Sequence, residues 1–233
     1  MRVEAARNVS TGQWFYRKKM KDIRYRSLGE TWLAILREVY HSRETVGDDT
    51  RESLHICATF AQADFDADPL LVRFASRENV EQMWKVFFTT EPNQFGHSYR
   101  DRIRGPGGRS DLSDVIELLQ REPLSKRAAI VLIGEGNGRV PCINVVHFLH
   151  RRQGLVATYF ARGQDIFRKF YADALCIFEM ARRIADGIGV PVDQVTGIIS
   201  SAHIYLADLA AIGDVLAGAD AMRGTLAGSG ATK

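Results

Sequence analysis

The sequence predicts a single α/β (α+β) domain of helices packed on strands. Two observations carry this. A chain of 233 residues with 45% hydrophobic content can bury one sizeable core. Segments with helical periodicity also alternate along it with short β-type runs bounded by turn residues.

In order, residues 1–27 form an N-terminal arm in which Arg17, Lys18, Lys19 and Lys21 are interleaved with Trp14, Phe15 and Tyr16. The arm reads as a solvated or subunit-contact surface, or as a grip on phosphates. From Leu28 to Tyr40, apolar Leu28, Trp32, Ile35, Leu36 and Val39 recur at helical spacing, with Glu30 near the start and Arg37 near the end. The run Leu54 to Phe60 is β-compatible, and Ala63 to Pro69, with three Asp, reads as a loop. A second helix is expected over about Glu78 to Phe88. After the Gly/Pro/Arg loop RIRGPGGRS comes a third, capped by Ser110, with Leu112, Val115, Ile116 and Leu119 on one face.

The clearest strands follow, Ala128 to Ile133, Asn144 to His150 and Leu155 to Arg162, the last two separated by the turn-like RRQG. A long helix from about Tyr171 ends at Gly187, Gly189 and Pro191. Val195 to Ile199 is a strand and Leu206 to Leu216 a final helix. The folded domain is expected over 28–217, and 218–233 as a flexible tail.

Charge and cysteine usage narrow the function classes. A net charge of +3 and a pI near 8.8 suit an anionic ligand without requiring one, so no nucleic-acid partner is expected. Cys57, Cys142 and Cys176 form no CxxC pair, and no His cluster has metal-ligand spacing, so no metal is expected. The charged start Met1 to Ser10 and the lack of a membrane-length apolar run predict a soluble, reduced, cytoplasmic protein with no membrane partner.

Four short motifs occur in order: Ser125-Lys126-Arg127, Pro141-Cys142, Arg162-Gly163-Gln164-Asp165 followed by Phe167, and Ser201-Ala202-His203-Ile204-Tyr205. Each is short enough to arise by chance, but their order between matching elements resembles thymidylate synthase. The resemblance covers roughly residues 96 to 210, is faint from 28 to 60, and is absent in the tail.

It implies a large mixed sheet used for dimerisation, and a pyrimidine nucleoside 5'-monophosphate as substrate. Catalytic roles fall to Cys142, Tyr99 and Asp165, with Cys142 as the nucleophile. A pyrimidine is inert at C5 until a thiolate adds to C6, and a neighbouring Arg162 is expected to favour the thiolate. Arg162, Arg127, Lys126 and Arg51 are implied for the phosphate, the two residues at 126 and 127 reaching across a homodimer to the partner's site. Arg51 would lie on a mobile phosphate loop. His203 and Tyr205 would hold the sugar, and Trp84 and Gly163 would line the pocket. The other readings of these residues are a core cysteine, a core histidine, core aromatics and exposed edge cations.

Eleven residues after Arg162, where the family has an Asn matched to uracil, stands Asp173. A carboxyl group sharing a proton with N3 suits cytosine, so the resemblance points to the cytidylate hydroxymethylase branch. The alternative is that Asp173 caps the helix near Tyr171.

Departures are Ile143 after the cysteine where the family usually has His, Ala161 for Gln, Gly163 for Ser, and only 28 residues after Tyr205. The family's catalytic Glu has no matching motif, with Glu78, Glu81 and Glu91 as candidates. The expected activity is C5 modification of a cytidine monophosphate with 5,10-methylenetetrahydrofolate as one-carbon donor. The alternatives are a UMP or dUMP methyltransferase, and a folate-independent nucleotide-binding relative.

Overall fold

The computed structural model describes residues 20–89, 98–103, 111–132 and 140–229. The expected cap Ser110, most of the Gly/Pro loop, the basic and aromatic run 14–19 and Glu91 lie outside them. The elements are β1 (Lys21–Arg24), α1 (Leu28–Tyr40), β2 (Glu44–Val46), β3 (Thr50–Phe60), α2 (Pro69–Phe74), α3 (Arg77–Phe88), α4 (Tyr99–Ile103) and α5 (Asp111–Arg121). Then come β4 (Ala129–Val131), β5 (Ile143–Arg151), β6 (Gly154–Asp165), α6 (Phe170–Ile188), β7 (Val192–Tyr205) and α7 (Leu209–Ser229).

The strands form one mixed sheet ordered β1-β3-β7-β6-β5-β4, with β2 paired to β3. β6, α6 and β7 make a parallel crossover, and the other central pairs are antiparallel.

Helix starts follow local chemistry. Ser27 accepts from Glu30 N–H at the head of α1, and Ser76 accepts from Asn79 N–H at the head of α3. Gly189, at φ 73°, ends α6 in the left-handed conformation. The apolar stripe of α1 and the length of α6 pack on one face of the sheet, where Trp32 meets Tyr171 edge-on at 4.8 Å and donates its indole N–H to Ile166 O at 2.8 Å. The opposite sheet face is less covered: Val131 is 56% and Phe160 36% exposed, and Val156, Thr158 and Ile198 are only half-buried. No helix among the described residues is long and apolar enough to cross a membrane.

Several elements differ from the expectation. β1 lies in the stretch read as arm and pairs in parallel with β3, so the fold begins at least at Lys21. Arg51 is not on a loop but inside β3, in register with Ile204. The last helix runs well past Leu216 to Ser229. The segment from 218 is expected from sequence as a small, polar tail, yet Gly218 is a packing contact: a Cβ there would lie 2.9 Å from the Phe74 ring.

The centre of the sheet is bent along one line. Burial alternation slips by one residue near Leu54–His55 in β3, Ser200–Ser201 in β7 and Arg162–Gly163 in β6. His55, Ser200 and Arg162 are skipped in the registers, while Leu54 lies opposite Ser201 and Ser201 beside Gly163. His55 takes φ 59°, a conformation that costs an ordinary side chain about 1 kcal/mol or more. Such a slip turns the strand ends over, exchanging which side chains meet the helices.

Candidate active site

Arg162 stands on that line, and its free N–H donates to Cys142 O at 3.0 Å. Its guanidinium turns back on the same segment, Nη2 donating to Val140 O at 2.9 Å and Nε to Pro141 O at 3.1 Å. The third motif therefore holds the Pro-Cys segment by its backbone. On the next residue, Ile143 N–H donates to the hydroxyl of buried Tyr99 at 3.3 Å, and the Tyr99 ring packs on Phe87. The structure thus brings Tyr99, Cys142 and Arg162 together.

The Cys142 thiol sits above the ordinary thiol range. Burial is the main cause and the Asp173 carboxylate adds to it, while Arg162 and then Lys169 act the other way. Arg162 favours the thiolate as expected, but burial, with Asp173, outweighs it. Lys169, the residue before α6, had no sequence signal beyond its charge.

Asp173 lies in the first turn of α6 and is 3% exposed. It is no cap: Lys169 holds the N-cap position and makes no side-chain cap bond, and Asp173 N–H already donates to Lys169 O inside the helix. Its Oδ2 accepts from Gln164 Nε2 at 3.1 Å, and its Oδ1 has no hydrogen-bond partner among the described residues. Burial pushes this carboxyl up to about 7, against the lowering effects of Gln164 and Lys169. Gln164 and Tyr159, which complete this buried polar cluster, were missed by sequence reasoning, since a Gln inside a motif and a Tyr at a core position are unremarkable.

At the ends of β6 and β7, Asp165 and His203 are register partners. Asp165 Oδ1 accepts from Phe167 and Arg168 N–H at 3.1 and 3.0 Å, which fixes the turn into α6. Its carboxyl is raised by burial, with Arg168 and His203 opposing. Buried Ala202 and Ile204 alternate with His203 and Tyr205, whose rings stand perpendicular at 5.8 Å. Gly163 sits in this wall, where a Cβ would lie 4.0 Å from the His203 ring, an ordinary contact distance. Arg168 reaches over the Tyr205 ring and pairs with Asp208 at 2.7 Å.

Four expected residues lie apart from this cluster in their own chain. Ala128, next to Lys126 and Arg127, bonds Phe148, which by strand rise is about 20 Å along β5 from Cys142. Arg127 pairs with Glu122 on the surface. Arg51 donates to Tyr40 O beside the Tyr40 ring. Trp84 packs at a tilt against Phe88 and lines a largely apolar cavity of about 850 Å³ with Phe65, Leu70, Val80, Leu175 and Phe178. Glu78 and Glu81 lie on the exposed side of α3.

No family model matches the sequence. It is similar to proteins named "Putative thymidylate synthase" from three archaea. That of Methanothermobacter marburgensis is 26% identical over 200 residues, 76% of this chain and 90% of the relative. That of Methanothermobacter thermautotrophicus is 24% identical over 78% of this chain and 92% of its own. The Methanosarcina barkeri protein is 25% identical over 78% and 88%. With the ordered motifs and the mixed sheet, these relatives support a thymidylate synthase-like superfamily.

Proposed function

We propose that this protein modifies C5 of a cytidine nucleoside monophosphate, with Cys142 adding to C6 and Asp173 reading the base. The supporting observation is the buried Asp173 carboxyl, about half protonated at pH 7, with an Oδ1 that has no partner among the described residues, and near enough to Cys142 to raise its thiol. A neutral carboxyl group offers N3 of cytosine a proton and accepts one from the 4-amino group. A ligand that keeps Asp173 protonated also removes the charge that opposes ionisation of Cys142.

In the reaction, the Sγ of the Cys142 thiolate bonds to C6 and the C5–C6 electron pair moves to C5, which attacks the one-carbon electrophile. Loss of the C5 proton then expels the donor's amine, water adds to the exocyclic methylene so formed, and expulsion of the thiolate restores the ring with a 5-hydroxymethyl group. Tyr99, bonded beside Cys142, is the side chain assigned to that proton. Arg162 meets the phosphate, and His203 and Tyr205 the sugar. 5,10-Methylenetetrahydrofolate is the proposed co-substrate that supplies the one-carbon unit. The protein acts as a homodimer through the less covered sheet face, so that Lys126 and Arg127, remote from their own Cys142, serve the partner's site.

The test is tritium release from 5-tritiated CMP, dCMP, UMP and dUMP with and without methylenetetrahydrofolate. Donor-dependent release from a cytidine nucleotide is expected. Release from uridine nucleotides alone favours the methyltransferase alternative, and release that ignores the donor favours a folate-independent relative. No release from any of the four ends the proposal.

A further inference from the structure

A neutral carboxylic acid is ambiguous as a reader of pyrimidines. With its proton on one oxygen it matches the N3 acceptor and 4-amino donor of cytosine, and with the proton on the other it matches the N3–H donor and O4 acceptor of uracil. A site that discriminates must fix which oxygen carries the proton.

Gln164 is built to do so. Its Nε2 donates to Asp173 Oδ2 at 3.1 Å, with both side chains buried. An oxygen that already receives a hydrogen bond is the carbonyl-like one, which leaves the proton to Oδ1, the atom without a partner among the described residues. The amide is held in turn. The hydroxyl of fully buried Tyr159 lies 3.5 Å from Gln164 Oε1, a long donor contact consistent with Nε2 being the end that faces Asp173. Tyr159 has a fixed seat, because Gly197 on β7 leaves room for its ring: a Cβ there would lie 2.4 Å from Tyr159 Cζ and Oη.

We propose that Gln164, seated by Tyr159, is a specificity-determining positioning residue that confines the Asp173 proton to Oδ1, so that this carboxyl reads one pyrimidine edge and not both. The inference rests on the reading of Asp173 as the base contact, but not on which base is chosen. That choice follows from whether the bound ring turns N3 or its 4-substituent toward Oδ1.

The experiment measures dissociation constants of CMP, dCMP, UMP and dUMP at pH 6 for the parent, Gln164→Leu and Tyr159→Phe. The Asp173 carboxyl is followed in each by carbon NMR titration. The parent is expected to prefer one base by roughly tenfold to a hundredfold, the usual effect of one mismatched polar contact in a dry pocket. Gln164→Leu should bring the two bases within about threefold of each other and raise the Asp173 midpoint, since the amide favours the ionised form. Tyr159→Phe should fall between the two, and it decides the matter alone if Gln164→Leu does not fold. A parent that prefers uridine, with the preference lost in the variants, keeps this inference and removes the cytosine reading. An undiscriminating parent, a variant that weakens all four nucleotides equally with the ratio unchanged, or no binding at all overturns it.

Discussion

Asp173→Asn should change how stability depends on pH, by an amount that follows from the structure. The folded carboxyl is pushed from an ordinary 3.8 to about 7 because it is buried. Between those values the folded chain holds a proton that the unfolded chain has released, so raising the pH favours unfolding. The stabilising contribution is complete below the unfolded value and is lost as the pH rises through the folded one. The whole loss corresponds to about 4 kcal/mol, of which about 2.5 kcal/mol falls between pH 5 and pH 8. Asn cannot ionise, so the variant escapes this loss. Relative to the parent it should gain about 2.5 kcal/mol over that interval, or about 5 to 10 °C in Tm for a chain of this length. The assay is thermal and urea unfolding of both proteins at pH 5, 6, 7 and 8, at one protein concentration so that dimerisation contributes equally. Parallel pH profiles would refute the reasoning, since they would mean that the folded protein tolerates the Asp173 charge without penalty.

The Cys142 thiol should react slowly with iodoacetamide at pH 7 and faster as the pH rises toward its elevated value. Asp173→Asn should accelerate alkylation at pH 8 by removing the second largest cause of that elevation, and mass spectrometry of the labelled peptide checks both statements. Cys142→Ser should abolish C5 exchange while leaving nucleotide binding within a few-fold, because oxygen is nearly isosteric but a far poorer nucleophile at neutral pH; exchange near the parent rate would dismiss Cys142 as nucleophile. Mixing inactive Cys142→Ser with inactive Arg127→Glu should restore part of the activity through mixed dimers. Absence of recovery after verified subunit exchange would show that the site is not shared.

Much of the molecule was written locally. The apolar period of α1, the turn-bounded β-type runs of β5 and β6 and the glycines ending α6 are properties of neighbouring residues, and they specified element types without tertiary help. The motif order pointed to Cys142, Arg162, Asp173, His203 and Tyr205 for the same reason, because each motif is a short stretch at the end of an element. What contacts distant in sequence decide was not legible. β1 is a strand because β3 offers it an edge, α7 stays helical through its glycines because Phe74 packs on one of them, and Arg51 is drawn into β3 by pairing with Ile204. The charge states of the site belong to this second class. Nothing in the order of residues says that Asp173 is enclosed with Gln164 and Tyr159, or that burial outweighs Arg162 at Cys142, since desolvation is set by everything packed around a group and by nothing in the group itself.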